Sequence, residues 1–278
     1  MSEAYTTARF KEEGRAALAE FFACCFFVFF GAGSVVGALS ATGDAGPVEP
    51  VNYALSFGFS ITVLAFCVGD VSGGHINPAV TVTLVVTRNI TVSRAVFYIF
   101  AQIAGGIVGG GFLFMSVEKG SYASGIGLAS DITPFGGFWL EMMGTLLLLF
   151  TVYNVAVWAG KPLDHDLAGS TVSALAPLPI GLAVMVSHLT LGPLTGCGIN
   201  PARVIGAVVW EDEAWWKGRT GEHFWIYMIG PLVAALIAPL TYAALYGTIS
   251  PGSAGKEHPE HAKEYEADPN KVVPLDGK

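Results

Sequence analysis

The chain has 278 residues, of which 53% are hydrophobic and only 13% charged, with a net charge of −8 and a mean hydropathy of +0.56. Soluble domains carry about 25% charged residues, so a water-soluble globule is excluded and one polytopic membrane domain is expected. Much of the acid lies in the C-terminal tail and no basic cluster occurs, which argues against a nucleic-acid partner.

Residues 1–15 are polar and read as a short exposed arm, without the apolar core of a cleaved signal peptide. A first apolar span covers 21–39, a loop 42–50 and a second span 53–68. Then comes Ser72-Gly73-Gly74-His75-Ile76-Asn77-Pro78-Ala79-Val80, followed by an apolar run, 79–86. That run is too short to cross a bilayer, which takes about 20 helical residues. Residues 88–94 form a polar turn, and 95–117 a glycine-rich third span whose Gly-x-x-x-Gly spacing suits close helix approach. After a polar loop, 118–134, a fourth span covers 135–159 and a fifth 172–191. A second broken stretch follows, Thr195-Gly196-Cys197-Gly198-Ile199-Asn200-Pro201-Ala202-Arg203, with another short run to Trp210. A loop carrying Trp215 and Trp216 leads to a sixth span, 224–249. Residues 250–278 are rich in Pro, Gly, Glu and Lys and read as a disordered tail.

The two broken stretches are the informative feature. Asn is a good N-cap and Pro a good first helical residue, so a short helix should begin at Pro78 and again at Pro201. Each would aim free N–H groups and a positive dipole end back at its asparagine. Non-helical backbone at membrane depth is tolerated only where it lines a cavity or is buried in protein, and Arg203 among apolar runs calls for a wet interior.

The halves, about 16–117 and 135–249, match: Glu20 and Asn77 recur as Glu141 and Asn200. Three spans per half is an odd number, so the second half enters from the opposite side. The expected fold is therefore an all-α membrane protein with six transmembrane helices and two half-helices in an inverted repeat. Arg9, Lys11, Arg15, Arg88, Arg94 and Lys161 outnumber Lys119, Lys217 and Arg219 on the other face, which puts both termini in the cytoplasm. The cysteines Cys24, Cys25, Cys67 and Cys197 have neither metal-ligand nor disulfide-framework spacing. No catalytic triad, phosphate loop or metal site is present, so no enzyme, cofactor or metal is expected.

These residues resemble the aquaporin (major intrinsic protein) family over 16–249, through the two Asn-Pro-Ala stretches, Ala19-Glu20-Phe21 and Glu141-Met142-Met143-Gly144-Thr145. The run Leu175-Ala176-Pro177-Leu178-Pro179-Ile180-Gly181 is similar to plant-type plasma-membrane intrinsic proteins. The resemblance implies a passive water channel in the plasma membrane that excludes protons and ions, assembled as a homotetramer. Asn77-Pro78-Ala79 and Asn200-Pro201-Ala202 would meet tip to tip, their amides donating to passing water. Phe57, His188, Cys197 and Arg203 would form the selectivity filter, with Arg203 and His188 as donors. Glu20 and Glu141 would brace the loops, a proton relay being the competing idea. His75 would line the cytoplasmic vestibule or serve a purely structural hydrogen bond.

Some positions depart from the pattern. Thr171 stands where the plant-type members carry a pH-gating histidine; His165 lies nearby, and Thr91 matches a loop serine of that group. Met228 replaces a common tryptophan. The rival readings are a facilitator of hydrogen peroxide, ammonia or glycerol, and a junction or scaffold protein of the same fold. His188 speaks against glycerol, because glycerol-conducting members carry glycine there.

Overall fold

The computed structural model describes residues 3–42, 49–118, 120–157, 174–211 and 219–246, which form helices and their connections. In chain order these are α1 (Glu3–Thr42), α2 (Pro50–Ser72), the half-helix α3 (Pro78–Val86), α4 (Val92–Ser116) and α5 (Pro134–Val152). A π-helical turn, Tyr153–Val157, extends α5. There follow α6 (Pro177–Thr195), the half-helix α7 (Pro201–Val208), a single turn α8 (Arg219–Glu222) and α9 (Phe224–Tyr246). Six of them are long and apolar enough to cross a membrane.

Local chemistry sets the starts. Proline opens α2, α3, α5, α6 and α7, where its missing N–H would have had no helical partner. Thr91 and Thr133 cap α4 and α5, accepting from Arg94 N and Gly136 N. Large apolar side chains such as Phe22, Phe59, Phe100 and Leu240 stay exposed on the outside of the bundle, as they do when the surrounding solvent is lipid.

Pairings repeat between the halves. α1 packs on α4 as α5 packs on α9, and α1 on α2 as α5 on α6. Each half-helix lies against the last helix of the other half, α3 on α9 and α7 on α4. The halves are thus interlocked, and neither can bury its own short helix alone. On the repeat axis α2 crosses α6 at the equivalent residues Gly58 and Gly181. A Cβ on Gly181 would lie 2.4 Å from the Gly58 carbonyl oxygen and 1.9 Å from Thr62 Oγ1.

The first element differs from its sequence reading. Residues 3–15, expected as an exposed arm, are the opening turns of α1. Glu13 is buried and accepts from Arg94 Nε at 2.9 Å, while Glu12 meets Arg94 Nη2 at 3.3 Å. The polar run was read as an arm because its partner lies far along the chain. The expected tail, with Trp215, Trp216, His165 and Thr171, falls outside the described residues.

Replacing Gly181 with alanine is expected to destabilise the protein by about 1–3 kcal/mol, the usual effect of overpacking. The measurement is the thermal unfolding midpoint in detergent. Gly14→Ala, where nothing lies within 4 Å of the added carbon, should instead stabilise α1 by about 0.5–1 kcal/mol.

Candidate functional site

After α2 and again after α6 the chain turns inward. The two loops adopt the same unusual backbone: φ is 88°, 62° and 54° at Gly73, Gly74 and Ile76, and 77°, 53° and 43° at Gly196, Cys197 and Ile199. A β-branched residue in the left-handed region is strained by about 1–3 kcal/mol and persists only where its surroundings hold it. Here the holder is a buried carboxylate. Glu20 accepts from His75 N at 2.9 Å, Ile76 N at 2.7 Å and Ser72 Oγ at 2.6 Å. Glu141 accepts from Gly198 N at 2.9 Å, Ile199 N at 2.6 Å and Thr195 Oγ1 at 2.5 Å. Both carboxylates are wholly buried. Tyr98 and Tyr227 complete the match, each donating at 2.7 Å to the carbonyl that ends the preceding helix, of Ser72 and Thr195 respectively.

The asparagines do more than cap. Asn77 Oδ1 accepts from Ala79 N at 2.9 Å, and Asn200 Oδ1 from Ala202 N at 3.0 Å and Arg203 N at 3.2 Å. Their amide nitrogens cross between the halves: Asn77 Nδ2 donates to Ile199 O at 3.0 Å and Asn200 Nδ2 to Ile76 O at 2.8 Å. A side-chain amide carries two protons, so each asparagine retains one after the crossing. Pro78 and Pro201 occupy the first helical positions, and Ala79 and Ala202 are fully buried beneath them.

Toward the other end of the bundle, Phe57 of α2, His188 of α6 and Arg203 of α7 come together. The Phe57 and His188 rings stack with centroids 4.2 Å apart. The Arg203 guanidinium carbon lies 4.7 Å from the Phe57 centroid, within cation–π range. Arg203 Nη2 donates to Gly196 O at 3.2 Å, whereas its Nε and Nη1 have no partner among the described residues. Cys197, next in the chain, is fully buried, its backbone N–H donating to Thr195 Oγ1 at 3.1 Å.

His188 requires a correction. It was expected as a donor, but its Nδ1 lies 2.9 Å from Val184 O, which can only accept. The proton of the neutral ring is therefore on Nδ1, and Nε2, without a partner among the described residues, is an acceptor. Of the two nitrogen-bearing side chains in the cluster, only Arg203 then supplies donors to the interior.

The loop after α4 lies over this cluster. Gly127 N donates to Thr195 O at 3.3 Å and Ala129 N to Leu194 O at 2.8 Å, while Glu211 accepts from the backbone N–H and hydroxyl of Ser124. Burial raises the pKa of the Tyr122 phenol, which thus stays protonated as a donor to Ala207 O at 2.7 Å. Met228 packs into the small apolar cluster of Ile126, Val204 and Tyr227.

On the opposite side of the asparagines is a cavity of about 520 Å³, lined by His75, Asn77, Asn200, Asp70, Asn89 and Arg94 among others. Thr91 stands at this end as the α4 cap, its hydroxyl engaged by Arg94 N at 3.2 Å. Gln102 of α4 also donates to Glu20 Oε2 at 2.8 Å; it, the crossed amide bonds, Ser72, Thr195, Tyr98 and Tyr227 were all missed by the sequence reading. Ser72 and Thr195 could have been found, since both stand at the same distance before an asparagine.

Comparison with known proteins agrees with this architecture. The family profile of major intrinsic proteins matches residues 7–242. The chain is 41% identical over 231 residues to "Aquaporin PIP-type" of Atriplex canescens, covering 81% of this chain and 77% of that one. It is 40% identical over 228 residues to "Probable aquaporin PIP2-8" of Arabidopsis thaliana, covering 81% and 78%. The solved aquaglyceroporin of Plasmodium falciparum superposes with a TM-score of 0.68 at 21% identity, covering 83% of this chain and 95% of that one, which shows the shared fold. The chain belongs to the major intrinsic protein family, a family of channels rather than enzymes, and is a multi-pass membrane protein.

Glu141→Gln presents an amide N–H₂ where backbone donors now converge. Leaving one or two of them unmatched is expected to cost about 2–4 kcal/mol, read as a lower unfolding midpoint in detergent. Glu20→Gln should behave alike.

Proposed function

We propose that the chain is a passive water channel of the plasma membrane, with its termini in the cytoplasm and one pore in each subunit of a homotetramer. The observation that carries this reading is the crossed pair of asparagines, each tip-bound to the other half and each with one amide proton left over. Two donors at one point of a single file bind the oxygen of a passing water and turn its own protons away from both neighbours. A proton then finds no continuous chain of hydrogen bonds to follow. The two half-helices add their positive ends at the same point, which repels cations.

Phe57, His188, Cys197 and Arg203 form the selectivity filter in this reading. Arg203 offers two donor nitrogens, and His188 one acceptor, that have no partner among the described residues, a set that replaces the hydration of a single water. Phe57 closes a wall. The buried Arg203 charge, which forms no ion pair among the described residues, opposes protons and metal cations. The imidazole occupies space that a polyol would need, so glycerol is disfavoured relative to water. Glu20 and Glu141 act as braces. The loop N–H groups and the helix-end hydroxyls of Ser72 and Thr195 that they hold support bracing over a proton relay. No cofactor enters this account.

Stopped-flow light scattering on proteoliposomes tests it. Wild-type vesicles should shrink faster than empty ones under an osmotic step, and without ionic current across a planar bilayer. Rates equal to those of empty vesicles would refute the reading. Arg203→Val is expected to keep fast water flow while admitting glycerol and small cations. His188→Gly should raise the ratio of glycerol to water permeability, measured on the same preparations.

A further inference from the structure

The two halves differ at one place that bracing does not explain. Beneath the first half-helix, Gln102 of α4 donates through Nε2 to Glu20 Oε2 at 2.8 Å and to Thr81 Oγ1 at 3.0 Å. Thr81 Oγ1 also contacts Asn77 O at 3.1 Å and His75 Nδ1 at 3.1 Å. Gln102 and Thr81 are fully buried and His75 nearly so. The repeat places Gly198, Val204 and Pro231 where the first half has His75, Thr81 and Gln102. None of those three side chains can take part in such a network. Yet Glu141 holds its loop with the same two backbone N–H bonds and one hydroxyl as Glu20. The Gln102–Thr81–His75 network is therefore not needed to hold a broken helix, and its end point is the histidine that lines the cavity.

Counting protons assigns what the network does. The Glu20 carboxylate can only accept, so the Gln102 group facing it is the amide nitrogen, and its second proton goes to Thr81 Oγ1. Threonine has one hydroxyl proton. If that proton goes to Asn77 O, the remaining lone pair of Oγ1 faces His75 Nδ1, which must then donate. If it went to the imidazole instead, the hydroxyl contact with Asn77 O would be made without a proton. Only one arrangement uses all three contacts of Oγ1, and it is the one with the His75 proton on Nδ1. We propose that Gln102 and Thr81 are positioning residues that fix His75 in its Nδ1–H form, so that Nε2 faces the vestibule as an acceptor. A water passing His75 then donates to the ring and turns its oxygen toward the two asparagine amides. Its orientation is set before it reaches the centre. The edge-on contact of the ring with Tyr98, at 5.1 Å between centroids, limits ring rotation. The functional part of this proposal rests on the water-channel reading; the assignment of the proton does not.

Nitrogen-15 NMR of histidine-labelled protein in lipid vesicles tests the assignment, with His75→Asn identifying the resonances. Wild type should show His75 protonated on Nδ1 and bare on Nε2 at neutral pH. Thr81→Val, which removes the acceptor at nearly constant volume, should move the proton to Nε2, and Thr81→Ser should keep it on Nδ1. Osmotic permeability per channel should fall about two- to tenfold in Thr81→Val, the factor one net hydrogen bond corresponds to, and recover in Thr81→Ser. Tetramer content on native gels and the unfolding midpoint identify any variant that failed to fold; Gln102→Leu, which should leave a mixture of the two forms, is then the second probe. A wild-type ring protonated on Nε2, or a folded Thr81→Val with the wild-type form, overturns the assignment. A changed form with unchanged permeability overturns its role in conduction. A wild type that carries no water defeats the channel reading and leaves the NMR result standing.

Discussion

Two wholly buried carboxylates are what allow this chain to stop a helix in the middle of a membrane. A broken helix exposes backbone N–H groups that lipid cannot satisfy, each unmatched group costing about 1–3 kcal/mol. It also places Ile76 and Ile199 in a left-handed backbone that opposes itself. Glu20 and Glu141 each collect two of those N–H groups and one hydroxyl. The bonds compensate the burial of the charge, and the charge makes each bond stronger than a neutral one. Neither partner would be tolerated alone, which is why the acid and the broken loop appear together in both halves.

The repeat converts that local solution into a central one. Because the halves interlock, with α3 on α9 and α7 on α4, each loop tip is delivered to the other. The left-handed isoleucines then turn their carbonyls to the opposite asparagine. A strained backbone torsion thus has a specific use, aiming an acceptor across the interface between the halves. The glycines at the α2–α6 crossing serve the same end at a distance, since bulk there would separate the tips. The symmetry stops at the side chains facing the two mouths. Arg203 stands with the rings of Phe57 and His188 on one side, and a cavity with His75, Asp70 and Arg94 opens on the other.

Much of the fold was legible because the bilayer forces hydrophobic length and the broken repeats have no soluble explanation. Span count, the two half-helices and the acid positions follow from Glu20, Asn77, Glu141 and Asn200. What could not be read depends on partners distant in sequence. Glu13 reads as part of a solvated arm because its partner, Arg94, stands 81 residues further along the chain. Asn77 and Asn200 were readable as caps, but the amide bond each makes to the other loop requires knowing how far the tips approach. His188 was placed on the right helix with the wrong polarity. A histidine's tautomer depends on what its other nitrogen touches, and here that is the carbonyl of its own preceding turn. That bond was within reach of sequence alone, since α6 puts residue 184 directly below residue 188.

With that polarity corrected, the proposed conduction path has an order. Arg203 and His188 present donors and an acceptor together, which suits a water held from both sides. The asparagines present donors only, which suits a water whose oxygen alone is held. A molecule moving between these points must turn, and a file of molecules that must turn cannot keep the uniform alignment that proton transfer requires. Exclusion of protons then needs no gate and no bulky plug. It follows from the number and direction of N–H groups left over after the fold has satisfied itself, and those were set by the carboxylates, the crossed amides and the Nδ1–Val184 bond. The same bonds that make broken helices tolerable in lipid leave behind the few polar atoms assigned to the proposed file.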